Sequence, residues 1–188
     1  MYSFFLDALA ALRLRFYPSA HYRYNGAVIY GILLVTGMVN AAAMAPLFGH
    51  SNGAVAFALC LTVLKWLCLS LAMRWILAIK GGSKHNWSGY VLLTEALIFP
   101  AIAALYWPQA LGLATIMWET WIMVVQLFGF MRISQQNGLK VIAGYILYFV
   151  MILIGGTLLM TLFNSLGWLD LQTLMKEMQS VARQAQAR

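Results

Sequence analysis

The chain has 188 residues, 63% of them apolar and only 9% charged, with a formal charge of +7 from 12 Lys/Arg against 5 Asp/Glu. A soluble domain carries roughly 25% charged residues and covers itself with them, so this composition excludes an ordinary water-soluble globule and points to an integral membrane protein. The basic excess forms no single patch of the kind that binds nucleic acid; it sits at the ends of apolar runs, where membrane proteins keep their cytoplasmic Lys and Arg.

Residues 1–25 read as a cytoplasmic segment that holds an amphipathic helix over 3–16. Phe5, Leu9, Leu12 and Phe16 share one face, Ser3 and Asp7 lie opposite, and Arg13 and Arg15 flank the apolar stripe. The run is too short to span a bilayer, which takes ~20 residues; it lies on the membrane surface or caps the loops. Arg13 and Arg15 follow the apolar residues instead of preceding them, unlike a cleavable signal peptide. Pro18 ends the helix, and 21–25 is a polar link.

Five spans follow, at 26–45, 54–79, 88–107, 110–131 and 140–165. In the first, Gly37, Ala41 and Ala45 recur every fourth residue with Asn40 beside them. Small residues at that spacing admit a neighbouring helix, and an Asn can bond across the interface. A turn-rich loop with His50 separates it from the second span, which carries Lys65 near its middle, Arg74 near its end, and Cys60 and Cys68. Eight residues of helix set the cysteines ~12 Å apart, too far for a disulfide. A basic loop, 80–87, leads into the third span, where Glu95 is intramembrane and Pro100 kinks the helix. Asn86-Trp87-Ser88 matches a glycosylation acceptor, but it falls on the cytoplasmic side. Tyr106, Trp107 and Pro108 mark the outer interface, with a turn at Pro108–Gln109. In the fourth span Trp118 and Trp121 bracket Glu119, and the fifth contains Gly155-Gly156. Residues 166–188 read as an outer-side amphipathic helix, in which Leu171, Leu174, Met175, Met178 and Val181 share a face.

Counted with Arg74 and Lys140 at the ends of their spans, the four connections carry 0, 3 (Arg74, Lys80, Lys84), 0 and 2 (Arg132, Lys140) Lys/Arg, and Arg13, Arg15 and Arg23 precede the first. With five spans, this places the N-terminus in the cytoplasm and the C-terminus outside.

Three ionisable residues remain at membrane depth. At ~1.5 Å per residue, Lys65 lies ~17 Å and Glu119 ~14 Å from the outer end of their spans, and Glu95 lies ~11 Å from the cytoplasmic end of its own. A charge at that depth costs ~3 kcal/mol. Bringing the three together lowers the cost, so Lys65 is expected to pair with Glu119, with Glu95 nearby or protonated. Such a network either locks the register of the bundle or lines a proton or ion route. Enzymatic chemistry has little to stand on. No Ser/His/Asp set, phosphate loop or metal-ligand cluster is evident, His21, His50 and His85 are scattered over loops, and neither cofactor nor metal is implied.

One block has a recognisable order. A span opening Trp87-Ser88-Gly89-Tyr90 and carrying Phe99-Pro100 is followed by a Trp-rich span, Trp118 through Trp121 to Gln126 and Gly129. A short basic loop with Gly138-Leu139-Lys140 then feeds a last span. Over about 86–155 the chain resembles the Yip (Ypt-interacting protein) domain family in its compact bacterial form. The resemblance implies five spans oriented N-in and C-out, a bacterial inner membrane, and no catalytic residues. Eukaryotic members bind small GTPases, largely through a long cytoplasmic N-terminal region. The expectation is therefore an all-α membrane bundle that acts as a scaffold or accessory subunit. Its partners are the lipid bilayer and other membrane proteins or further copies of itself, and not nucleic acid. The alternative is a small transporter using Lys65, Glu95 and Glu119.

Overall fold

A computed structural model of the chain describes residues 2–48, 52–79 and 86–168. The described residues are helical, with no strand among them. Their elements are α1 (Tyr2–Leu12), α2 (Gly26–Phe48), α3 (Asn52–Ala78), α4 (Ser88–Ala96), a 3-10 turn (Phe99–Ala101), α5 (Ile102–Tyr106), α6 (Pro108–Ser134) and α7 (Gly138–Ser165). His50, His85 and the amphipathic run 169–183 lie outside the described residues. In hydrocarbon every backbone N–H and C=O must pair internally, and a helix does this within one segment. Four helices, α2, α3, α6 and α7, are long and apolar enough to cross a membrane, which makes this a membrane protein by length and composition.

The long helices pack through small residues. A Cβ on Gly37 of α2 would come within 3.2 Å of the Leu59 Cα on α3, so glycine lets the two backbones approach. Gly155 of α7 does the same against Leu64, and Gly144 against Met73. The α6–α7 hairpin closes through Gln135 in the left-handed region at φ 54°. Lys140 Nζ then donates to Gln136 Oε1 at 2.6 Å and to the Ile79 carbonyl at 3.1 Å, tying that turn to the end of α3.

The third expected span is where sequence and structure differ most. Instead of one kinked helix over 88–107, α4 stops at Ala96 and a 3-10 turn carries the chain past Pro100 into the short α5. Proline has no N–H to return to Ala96, and its ring crowds the preceding turn. The nine residues of α4 cover only ~13 Å, less than half of a ~30 Å hydrocarbon core. α4 is instead the buried axis of the molecule. Tyr90, Val91, Leu92, Leu93 and Thr94 are fully enclosed, and Trp87 just before them is 1% exposed. Two glycines permit this burial. A Cβ on Gly89 would collide with the Tyr22 carbonyl, and one on Gly129 with the Tyr90 hydroxyl. Edge-to-face ring contacts complete the packing: Tyr90 and Trp87 each stand 5.3 Å from Phe130, and Tyr22 stands 5.3 Å from Tyr90. A smaller cluster, Ala54, Phe57 and Phe163, holds the far end of α3 to α7.

Other boundaries move by a few residues. α2 continues through Pro46 to Phe48, and α6 begins at Pro108, where a turn was expected. Pro108 occupies the first helical position, where its missing N–H has no partner to lose. α1 ends at Leu12, and its inward face also differs. Phe4, Asp7 and Ala11 are buried, whereas Phe5 and Leu9 face outward. The cause is Asp7, which accepts hydrogen bonds from the Tyr24 hydroxyl at 2.9 Å and from His21 Nε2 at 2.9 Å. Those bonds turn the polar side of α1 toward the protein.

Candidate functional site

The densest polar chemistry at membrane depth joins α4, α6 and α7. Gln126 Nε2 donates to Thr94 Oγ1 at 2.8 Å, and the Tyr145 hydroxyl donates to Gln126 Oε1 at 2.7 Å. The Thr94 hydroxyl donates in turn to the Val91 carbonyl at 2.9 Å, one turn back on α4. The Tyr90 hydroxyl bonds the Val125 carbonyl at 2.9 Å, just below. Each polar group in this chain meets a complementary one, which is the condition for burying it without loss. Glu95 follows Thr94 on α4 and is half-buried.

Directly above lies the break between α4 and α5. The amides of Leu97, Ile98 and Ala101 turn to carbonyls three residues back (Thr94, Glu95 and Ile98), the tight 3-10 pattern. The Leu97 carbonyl therefore loses the Ala101 amide, and the Trp118 indole Nε1 of α6 donates to it instead, at 2.8 Å. On the other side of α4, Trp66 Nε1 of α3 donates to the Ser88 carbonyl at 2.8 Å. Two intramembrane tryptophans thus act as hydrogen-bond donors that locate α4 between α3 and α6.

The expected network of Lys65, Glu95 and Glu119 is not assembled. Among the described residues the ion pair within 4.0 Å is His21–Asp7, and Lys65 pairs with neither acid. The reason is the packing order: α3 lies chiefly against α2, α4 and α7, and α6 chiefly against α1, α4, α5 and α7, so the helices that carry Lys65 and Glu119 are not close neighbours. Their levels nevertheless agree. Tyr145 meets Gln126, so Glu119, seven residues earlier on α6, stands level with Ile152; Gly155 meets Leu64, the neighbour of Lys65. Both charges continue stripes that are buried further along their helices. Lys65 is on the stripe of Ala58, Leu69 and Ala72, which are at most 2% exposed, and Glu119 is on that of Gln126 and Phe130. Lys65 is only half-buried, and Glu119 is exposed. The N-terminal half of α6 is open around it, with Leu113 at 74%, Met117 at 67% and Ile116 at 63% exposure.

The remaining expected residues fall as follows. Gly37 touches α3, and Asn40 Nδ2 donates to Thr62 Oγ1 at 2.9 Å, while Thr62 donates onward to the Ala58 carbonyl at 2.8 Å. Ala41 and Ala45 are half-buried on α2. Trp107, Arg13 and Arg15 are exposed. Cys60 faces outward and Cys68 inward, and both are free thiols. Among the described residues no three His, Cys, Asp or Glu side chains gather to hold a metal ion.

A search for charged residues in apolar runs passes over Thr94, Gln126 and Tyr145, because they are neutral. The available signal was a glutamine inside a span, which in lipid needs partners as surely as an acid does. Outside the spans, burial first and the Asp7 hydrogen bond second push the Tyr24 phenol well above its ordinary value of 10.0. Burial does the same to Tyr22. No family model, curated protein or solved structure matches this chain.

Proposed function

We propose that the protein is a non-enzymatic membrane subunit, a scaffold or accessory chain that holds another membrane protein, or a further copy of itself, against the outer half of α6. In this reading it crosses a bacterial inner membrane five times, with 88–107 as the interrupted third crossing, the N-terminus in the cytoplasm and the C-terminus outside. The resemblance of 86–155 to Yip domains supports the same class. The observation that carries the reading is Glu119, an exposed carboxyl at membrane depth with no ion-pair partner among the described residues. A lipid-facing charge there costs ~3 kcal/mol on insertion scales, and a donor on a neighbouring helix removes the cost. The bundle does not depend on Glu119 for its register, because the Thr94–Gln126–Tyr145 chain already joins α4, α6 and α7. Extraction from native membranes in mild detergent, followed by identification of co-purifying chains, tests the proposal. The wild type brings down a defined partner or a homo-oligomer, and Glu119→Gln loses it while remaining folded; a lone wild-type monomer contradicts it.

A second reading, a small transporter or proton-conducting protein, is favoured by the break at 97–101 beside Glu95. Interrupted helices at membrane depth often line substrate or ion sites. Purified protein in liposomes that moves protons or a solute, with loss on Glu95→Gln, supports it.

A further inference from the structure

The face that α1 turns away from the bundle carries its own information, independent of Glu119. Tyr2, Phe5, Leu6 and Leu9 project outward and are 79%, 60%, 48% and 53% exposed. The helix cannot turn this face inward, because it is clamped from the other side. Asp7 is held by His21 and Tyr24, Phe4 meets the Tyr24 ring edge-to-face at 5.0 Å, and beyond the helix Phe16 meets Tyr90 at 6.2 Å. Phe4 and Phe5 also share an apolar pocket of about 230 Å³ with Val28, Ile32 and Val35 of α2 and with Phe99. That places the start of α1 beside the first turns of an apolar span, where bilayer is the adjoining apolar phase.

The end of the same helix is cationic. Its last turn closes with Leu14 N donating to the Ala11 carbonyl at 2.8 Å and Arg15 N to the Ala10 carbonyl at 2.9 Å, with Leu14 left-handed at φ 57°. Arg13 and Arg15 flank that turn, and Arg23 follows His21 in the clamped loop; all three are exposed. The described carboxylates leave them unpaired. Asp7 is buried with its own partners, and Glu95 and Glu119 lie in apolar segments. A guanidinium presents a planar fork of donors that fits a phosphate in two places at once.

We propose that α1 and the loop after it form a docking surface for a leaflet of anionic phospholipid, with Phe5, Leu6 and Leu9 in the acyl region and Arg13, Arg15 and Arg23 on the headgroup phosphates. Each arginine near such a surface adds about a fivefold preference for it, on the order of a hundredfold for three. This inference rests on the bilayer placement proposed above but not on a partner at Glu119. The full chain is placed in nanodiscs of phosphatidylcholine, with or without phosphatidylglycerol. A nitroxide at Leu9→Cys, in a Cys60→Ala, Cys68→Ala background, reports depth, and lipid retained after detergent exchange is quantified. The expected result is a label at acyl depth, with phosphatidylglycerol retained over phosphatidylcholine. That selectivity is lost at high salt and in the Arg13→Gln, Arg15→Gln, Arg23→Gln variant, which keeps the Asp7 clamp. A label exposed to water in a chain still integrated in the disc overturns the proposal without touching the placement of the spans. Equal retention of the two lipids by the wild type also overturns it.

Discussion

The indole of Trp118 donates to the carbonyl of Leu97 at 2.8 Å, on the strand of backbone where α4 gives way to a 3-10 turn. One side chain on α6 thereby supplies the donor that the interruption of the neighbouring segment removed. In a low-dielectric interior an unpaired carbonyl costs roughly 1–3 kcal/mol. Trp118→Phe keeps a ring but deletes the donor, so it is expected to destabilise the protein by about that amount. Unfolding by a denaturing detergent titrated into mild micelles measures it. Trp121→Phe, a change at an exposed position, is the control and shifts the midpoint little.

The Gln126 chain makes a second prediction. Single interhelical hydrogen bonds in membranes average about 0.6 kcal/mol and reach about 1.7. Tyr145→Phe falls in that range. Gln126→Leu costs more, since it removes the partner of both Thr94 and Tyr145. The Gln126→Leu, Tyr145→Phe double variant costs less than the sum, because the bond between them is lost only once.

Glycines that look alike in sequence should respond differently. Gly89→Ala drives a methyl into the Tyr22 carbonyl, which is backbone and cannot swing aside, so folding is lost or the 17–24 loop is displaced. Gly144→Ala meets the flexible end of Met73, with Sδ at 2.6 Å from the added Cβ, and costs on the order of 1 kcal/mol. Gly156→Ala meets nothing within 4 Å and gains up to about 1 kcal/mol of helix propensity. Thermal unfolding of the three variants in one detergent gives the order.

Tyr24 makes the clamp on α1 sensitive to alkaline pH. The Tyr24 phenol is raised above its ordinary 10.0, first by burial and then by its bond to Asp7. A group whose folded pKa exceeds its unfolded one contributes stability that is fully present below the unfolded value and is lost as pH rises through the folded one. The Tyr24 contribution to the clamp is therefore complete at neutral pH and is lost as pH rises above about 10. Tyrosinate absorbance of the wild type minus that of Tyr24→Phe isolates the late-titrating phenol.

Much of the architecture was legible in the sequence because hydrocarbon leaves little choice. Uncharged runs such as 26–45 must pair their backbone internally, and Gly37 and Asn40 carried their packing chemistry in their residue types. What charge and periodicity could not supply was the third dimension. Pro100 announced a kink, but nothing local said that α4 would stop at Ala96 and sink to the centre of the bundle; that depends on Gly89 and Gly129 meeting Tyr22 and Tyr90 from distant parts of the chain. Asp7 looked like a solvent-side residue until Tyr24 and His21 folded back onto it. Lys65 and Glu119 share a depth that simple counting finds, but the packing of their helices on other elements more than on each other was invisible to it.

The central claim is that the outer half of α6 meets protein in the native membrane. A photo-crosslinking amino acid at Ile116, which is 63% exposed beside Glu119 on that face, tests it most directly. Illumination of intact membranes followed by mass spectrometry of the adducts should give a discrete protein product, either a second copy or one partner chain, that disappears in the Glu119→Gln background. Adducts with lipid alone, unchanged by that substitution, would contradict the account.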